Sequence, residues 1–358
     1  MDHAGRLARL RQYLADQKRS HLLVCHPANV AWLSGCSAEG ACLLVGPERC
    51  RIFLDGRAAR TWQGRLTARI ELLASGPDGF GPLIGRCLDR TRGCLHFEPD
   101  GLDWWQAVAL AQALPTGWSL EAAGGDVEVL RQRKDPDEIR ILGDLARDAG
   151  RLRARAAEML REGSPVSDVR AVILEGIARC EAWPAFRPLL ATGLDTLDLH
   201  PAGPGRSTAG EGLALVDLGL SRAGLNSDVA TSVLVAGRAA RSHGTLLAIA
   251  EEAFRAAVAA VGPGVPAAEV AGAAHRVLRR HGLEARHDAG HGIGWQVHEA
   301  PWIAEESPDV IEEGMVLCLE PGAYHPAVGG GRREEMVLVT RGGAVVLGQV
   351  AADGRPLV

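Results

Sequence analysis

The sequence predicts two domains of different class, an α/β layer over residues 1–130 and an α+β body over residues 131–358. Three observations predict it. Short apolar runs alternate with helical periodicity through the first 130 residues, as the strands and helices of one layered sheet do. Long Ala/Leu/Arg helical stretches then come in pairs, each pair followed by a β-rich stretch. Between the two regimes, Lys134-Asp135-Pro136-Asp137-Glu138 reads as a helix start, with Asp135 as N-cap and Pro136 at the first helical position.

In the first part, Leu7, Leu10 and Leu14 recur on one helix face. Residues 21–25, 41–45, 51–54 and 69–73 read as strands, and 58–65, 81–89 and 104–113 as helices, so the sheet is mixed or parallel. The pattern changes near Val127-Glu128-Val129-Leu130. Helices are then predicted over 136–161, 167–180, 241–261 and 267–281, with β-rich stretches at 185–235 and 285–348. Helix, helix, sheet, twice over, indicates an internal structural duplication.

Composition narrows the function classes. The chain has 358 residues, 47% of them hydrophobic and 23% charged, as ordinary globular proteins do. A net charge of −5 supplies no basic field for nucleic acid, so a small, roughly neutral substrate is expected. Met1-Asp2-His3 leads directly into a charged amphipathic stretch, and no apolar run is long enough to span a bilayer, so a cytoplasmic location and no membrane partner are expected. The eight cysteines form no C-x-x-C pair, which excludes a zinc ribbon or a thioredoxin motif and leaves reduced core thiols.

Five residues carry the chemistry: Asp217, Asp228, His291, Glu320 and Glu334. Each stands beside glycines or a strand-like apolar run. Four carboxylates, one imidazole and no thiolate form the donor set of hard or borderline divalent cations. A close pair of such cations acidifies water and clamps an oxyanion, so hydrolysis is the default chemistry. Residues 213–217 and 227–234 read as two strands of a hairpin closing near Arg222-Ala223, which sets Asp217 opposite Asp228 on one face. Two facing carboxylates repel, so a cation is expected between them; exposed hairpin aspartates are the ordinary alternative, and apolar neighbours argue for burial. His291 lies in Gly290-His291-Gly292-Ile293-Gly294, whose glycines permit close approach to a ligand, though a lone histidine there is more often structural. Glu320 ends the apolar run 315–319 before Pro321-Gly322, and a carboxylate there is costly unless paired or metal-bound. Alternation turns one of Glu334 and Glu335 inward without saying which.

Taken together, these positions resemble the pita-bread metallopeptidase family that includes methionine aminopeptidase, prolidase and aminopeptidase P. The motifs run in family order: Val-Asp-Leu-Gly at 216–219, Ser227-Asp228, Gly-His-Gly-Ile-Gly from Gly290, Val297-His298-Glu299, Glu320-Pro321-Gly322 and Arg332-x-Glu334. Pro27-Ala28-Asn29, Asp55-Gly56-Arg57 and Leu130-Arg131-Gln132-Arg133-Lys134 resemble the creatinase/prolidase-type N-terminal domain, which methionine aminopeptidase lacks. The resemblance therefore implies a creatinase-like α/β N-terminal domain and an α+β pita-bread catalytic domain.

It also implies roles. Asp217 would bind one metal through both oxygens, Asp228 and Glu334 would bridge two, and His291 and Glu320 would complete the second site. The family spacing selects Glu334 over Glu335. Manganese suits the oxygen-rich set best, with cobalt, zinc or iron as alternatives. A bridging hydroxide would attack the peptide carbonyl while Glu320 shuttles the proton to the leaving nitrogen. His298 and His200 match the family histidines that stabilise the intermediate and flank the substrate; without the resemblance, each reads as a surface or loop histidine. Cys318 shares a strand face with Glu320 and reads as a packed thiol, and His243, His275 and His281 read as surface or core residues of helices.

Two departures matter. Many relatives read Ser-Asp-x-Thr-Arg-Thr where this chain has Ala230 and Thr231 after Ser227-Asp228-Val229. Small prolidases often place an arginine shortly after the His-Glu pair, where it holds a dipeptide's carboxylate; here residues 300–306 contain no cation. Arg332 or an N-terminal-domain arginine would have to substitute. The implied activity is Xaa-Pro dipeptidase on proline-containing peptides. Alternatives are Xaa-Pro aminopeptidase or a proline-directed carboxypeptidase on longer peptides, and a catalytically silent binding protein of the same fold. A creatine-type amidinohydrolase is opposed by retention of all five ligands. The resemblance also implies a homodimer.

Overall fold

The structure, a computed structural model, describes residues 1–66, 69–76, 79–88, 92–199, 212–237 and 239–348. It divides into two compact units, Met1–Arg131 and Gln132–Val358. No helix among the described residues is long and apolar enough to cross a membrane.

The N-terminal unit is built on a six-stranded sheet in the order Ile70–Ser75, Cys50–Asp55, Cys42–Val45, His21–Val24, Gly93–Phe97, Trp118–Ala122. The sheet is mixed: Cys42–Val45 runs antiparallel to both of its neighbours, and the other pairs are parallel. Every residue of His21–Val24 and Cys42–Val45 is buried, which is why they read as unbroken apolar runs. Leu7, Leu10 and Leu14 form the buried stripe of helix His3–Asp16. Gly93–Phe97 and Trp118–Ala122 lie outside the strands that periodicity predicts. Leu95 alone among their residues is buried, and Cys94, His96, Ser119 and Glu121 blunt the apolar pattern.

In the second unit, helix Pro136–Arg161 starts at Asp135, whose backbone N–H donates to Glu138 Oε2 at 2.7 Å. It is followed by Val166–Arg179, and a second helix pair is Arg241–Ala260 and Ala267–Arg280. A three-stranded antiparallel sheet is ordered Val229–Leu234, Leu213–Leu218, Leu189–Thr192. A five-stranded antiparallel sheet is ordered Glu299–Ile303, Gly290–Gly292, Val316–Leu319, Glu335–Thr340, Gly343–Val346. Leu317, Leu319, Val337 and Val339 pack with Ala253, Ala257, Ala271 and Ala274 of the second helix pair in one core. Because side chains alternate along a strand, Cys318 and Glu320 must leave on the other face.

The hairpin corrects one expectation. Its turn is not at Arg222-Ala223: Arg222 pairs with Leu225 around Ala223 (φ 55°) and Gly224 (φ 85°), two left-handed residues that make a tight two-residue loop. Moving a turn by one residue shifts every cross-strand pair by two. Asp217 therefore faces Ala230, and Asp228 lies diagonal to it rather than opposite. A two-residue shift preserves the face of every side chain, so both carboxylates still line one cavity.

Candidate metal centre

The residues leading into Glu335–Thr340 meet the strand Val229–Leu234: Glu334 N–H donates to the Ala230 carbonyl at 3.1 Å, and Arg332 N–H donates to Ser232 Oγ at 3.0 Å. Against this seam lies a cavity of about 470 Å³ lined by Asp217, Asp228, Glu320, Glu334, His298 and Arg332, among others. Asp217 sits in the strand Leu213–Leu218, flanked by Leu189 on one side and Ala230 on the other, so neither cross-strand neighbour offers it a hydroxyl. Glu334 lines the cavity, whereas Glu335 turns to the other face and pairs with Arg153 and Arg333, each at 2.6 Å.

His291 is carried by the short strand Gly290–Gly292 and stands opposite Cys318. Its flanking glycines serve strand packing rather than approach to a ligand. A Cβ at Gly290 would lie 2.0 Å from the Cys318 carbonyl oxygen, and one at Gly292 2.4 Å from that of Ala300. The strand fits between its neighbours only without side chains there.

Asp228, His291, Cys318 and Glu334 each bring one potential ligand atom within 4.8 Å of the others. Burial pushes the Asp228 and Glu334 carboxyls well above their usual range, and the neighbouring carboxylates of Asp217 and Glu320 push further. Glu320 is also raised by burial, with His287 and Arg332 opposing. Burial likewise raises the Cys318 thiol, whose Sγ lies 3.8 Å from the Asp228 carbonyl oxygen, so it packs beneath the cluster as a neutral donor.

Whether these residues suit a metal is tested by their unused atoms. His291 Nδ1 lies 3.0 Å from the Gly292 carbonyl and donates to it, and burial keeps the ring neutral. Nε2 therefore presents a lone pair. It faces Glu320 Oε1 at 3.7 Å and Asp228 Oδ2 at 4.0 Å. Neither Nε2 nor Asp228 Oδ1, both buried, has a hydrogen-bond partner. Buried acceptors aimed at one another are relieved by protonation or by a bound cation, so the donor set fits a divalent metal.

Arg332 is buried, binds Asp217 and approaches Glu320 at 3.9 Å. Burial opposes its charge, but Asp217, Tyr324, Glu334 and Glu320 outweigh it and hold the guanidinium protonated. The His298 ring meets His291 edge-on at 4.3 Å between centroids. Glu299, the next residue, forms a buried ion pair with Lys134 at 2.7 Å that anchors this strand start. His200 lies outside the described residues. Of the other histidines, His243 caps its helix start, while His275 and His281 face Glu305 and Glu252.

Sequence reasoning missed three contributors. His287 lines the cavity with Nε2 2.9 Å from the Tyr324 hydroxyl. Its signal is slight, a histidine four residues before His291 on an irregular approach to the strand. Phe186 and Arg187 also line the cavity, and nothing in their local pattern marks them.

The fold and donor set define a two-unit metallopeptidase. Residues 139–341 match Metallopeptidase family M24 and residues 6–133 match the Creatinase/Prolidase N-terminal domain, so the chain belongs to metallopeptidase family M24. It is 31% identical to the Xaa-Pro dipeptidase of Pyrococcus furiosus over 225 residues, covering 61% of this chain and 63% of that relative's length. Among solved structures, the prolidase from Pyrococcus furiosus superposes with a TM-score of 0.84 at 25% identity, covering 95% of this chain and 99% of that one. Dipeptidase PepE from Mycobacterium ulcerans superposes with a TM-score of 0.87 at 27% identity, covering 98% and 96%. The architecture is thus a creatinase-type N-terminal domain followed by a pita-bread catalytic domain.

Proposed function

We propose that this chain is a dinuclear metal-dependent exopeptidase that hydrolyses Xaa-Pro bonds, with Xaa-Pro dipeptides as its substrates. The observation that carries the reading is the convergence of the buried, open acceptors Asp228 Oδ1 and His291 Nε2 with Glu320 and Glu334 beside one cavity, joined by family membership and by the dipeptidase names of its relatives. In this reading Asp217, Asp228, His291, Glu320 and Glu334 hold two divalent ions, with manganese the best match to an oxygen-rich set. Bound there, the ions polarise the scissile carbonyl and bring the pKa of water down to roughly 7.

The remaining steps belong to the chain. Glu320 has the most accessible of the cluster's side chains, 19% exposed against 12% for Asp217 and 6% for Asp228. It takes the water proton on a carboxylate oxygen and delivers it to the departing proline nitrogen. His298 donates to the oxyanion, beside a His291 ring whose orientation is fixed by Gly292. Arg332 holds the Asp217 carboxylate in place. His200 is proposed to flank the substrate. The reading includes a homodimer, carried over from the family resemblance, and a cytoplasmic location, expected from the sequence; light scattering and fractionation test them.

The absence of a cation in residues 300–306 favours a second reading, Xaa-Pro aminopeptidase on longer peptides. Metal analysis, with hydrolysis of a Xaa-Pro dipeptide beside a Xaa-Pro-Yaa tripeptide, separates the two. Dipeptide cleavage by metal-loaded protein is expected. Tripeptide-only cleavage removes the dipeptidase label, and absence of both metal and cleavage removes the enzyme reading.

A further inference from the structure

Arg187 reaches the catalytic cavity because strand pairing puts it there. Leu189 opens the strand Leu189–Thr192 and pairs with Asp217. Four residues earlier, Ala185 N–H donates to the Gly219 carbonyl at 3.0 Å. The intervening Phe186, Arg187 and Pro188 are therefore tied at both ends to the strand that carries Asp217 and its continuation. Gly219 makes room for them, since a Cβ there would lie 2.6 Å from Phe186 Cε1. Pro188 is buried away, while Phe186, Arg187 and Leu189 line the cavity. At ~3.3 Å per extended residue, Arg187 stands about 7 Å along the chain from the position opposite Asp217.

Among the described residues, two guanidinium groups line this cavity, Arg332 and Arg187. Arg332 is buried and engaged by Asp217 and Glu320, the cluster's own carboxylates. Arg187 is exposed, set beside the apolar walls of Phe186 and Leu189. Arg170, on helix Val166–Arg179, is its near neighbour: the Arg170 pKa is lowered by burial and then by the charge of Arg187. A guanidinium that lines a cavity with a second cation nearby favours an anionic ligand there. In a Xaa-Pro dipeptide the carboxylate carbon is three bonds from the scissile carbonyl carbon, so the two lie at most ~3.8 Å apart. A substrate held at the metal cluster therefore projects its carboxylate only a short way, and an arginine fork is the group that fits it.

We propose that Arg187, backed by Arg170, receives the substrate's free C-terminal carboxylate and selects peptides that end directly after the residue following the scissile bond. This rests on the Xaa-Pro peptidase reading and deepens it by naming which end of the peptide is recognised. It also supplies the cation missing from residues 300–306, from a different element of the fold.

The test compares Ala-Pro, its C-terminal amide and Ala-Pro-Ala on the manganese-loaded full chain, with Arg187→Ala and Arg187→Lys beside the wild type. Wild type is expected to favour Ala-Pro over the amide by about ten- to hundredfold in kcat/KM, the range of a charge-assisted hydrogen bond. Arg187→Ala should bring that ratio towards one, mainly through a higher KM for Ala-Pro, and Arg187→Lys should restore part of it. A ratio in Arg187→Ala equal to wild type overturns the proposal, as does a wild-type enzyme that cleaves acid and amide equally. A metal-bound wild type that cleaves none of the three overturns the peptidase reading and this proposal with it. That outcome is recognised in the wild type alone, before any variant is compared.

Discussion

Each unit of this protein buries a cluster of carboxylates, and the two clusters are treated in opposite ways. In the N-terminal unit, Glu98 Oε2 accepts from the Cys25 and His26 backbone N–H groups at 2.8 Å, and Oε1 accepts from Asn29 Nδ2 at 2.7 Å. Asn29 in turn donates to Glu128 and accepts from Arg131. In the second unit, Asp228 and Glu334 are as deeply buried, yet Asp228 Oδ1 has no partner and the nearest polar groups are other acceptors. A buried carboxylate whose lone pairs are filled by the chain holds a fold together. One whose lone pairs are left open, among others of its kind, awaits a ligand.

That contrast can be broken most severely at Asp228. Asp228→Asn is expected to abolish metal binding and turnover while the metal-free protein remains folded, because the neutral amide has the shape of a carboxyl that burial already pushes towards its neutral form. Elemental analysis, peptide hydrolysis and a thermal melt check all three; retained metal in this variant contradicts the assignment. His298→Ala should keep its metal yet lose about 10²- to 10³-fold in kcat, as removal of an oxyanion donor does. Loss of metal there would mean that His298 is a ligand and not a donor.

The adjacent glutamates sharpen the comparison within one strand. Glu334→Gln should lose metal, whereas Glu335→Gln should keep it and lose stability instead. Breaking the buried contacts of Glu335 with Arg153 and Arg333 costs about 3 kcal/mol, read by urea denaturation. Manganese at a hundred times its Kd should stabilise the wild type by about 2.7 kcal/mol for each ion bound, an increment that Glu335→Gln keeps and Glu334→Gln lacks.

The smallest effect belongs to the closed network. Burial pushes the Glu98 carboxyl up to about 7, with its hydrogen bonds to His26, Cys25 and Asn29 opposing and Glu128 adding to the rise. Between its ordinary 4.5 and about 7, the folded state holds a proton that the unfolded state has released. Stability linked to Glu98 is therefore full below that window and is lost as pH rises through about 7. Glu98→Gln should flatten this slope. Hydrogen exchange over residues 21–34, corrected for intrinsic rates, measures it, and an unchanged slope would assign the pH dependence to another group.

Much of this molecule is legible in its sequence. The paired long helices and the fully buried strands announce themselves because one buried stripe or two buried faces leave a strong apolar period. Gly93–Phe97 and Trp118–Ala122 do not, since partly exposed strands carry polar residues that erase it. In the site, the hairpin shows how tolerant such reading is. Placing the turn one residue early misassigns every partner of Asp217 but leaves its face correct, because pairs move in steps of two.

By itself, then, the sequence determined which residue types could bind a metal and, through strand alternation, which of them could share a face. Alternation is local, and a local rule survives errors of long-range pairing. Tertiary structure alone decided the rest. It set His291 Nε2 against Asp228 and Glu320, and it sent Glu335 to Arg153 on the opposite face from Glu334. It also drew Arg187 from an unmarked segment to the cavity wall. Those contacts join residues far apart in the chain, and no periodicity along one strand records which distant strand it will meet.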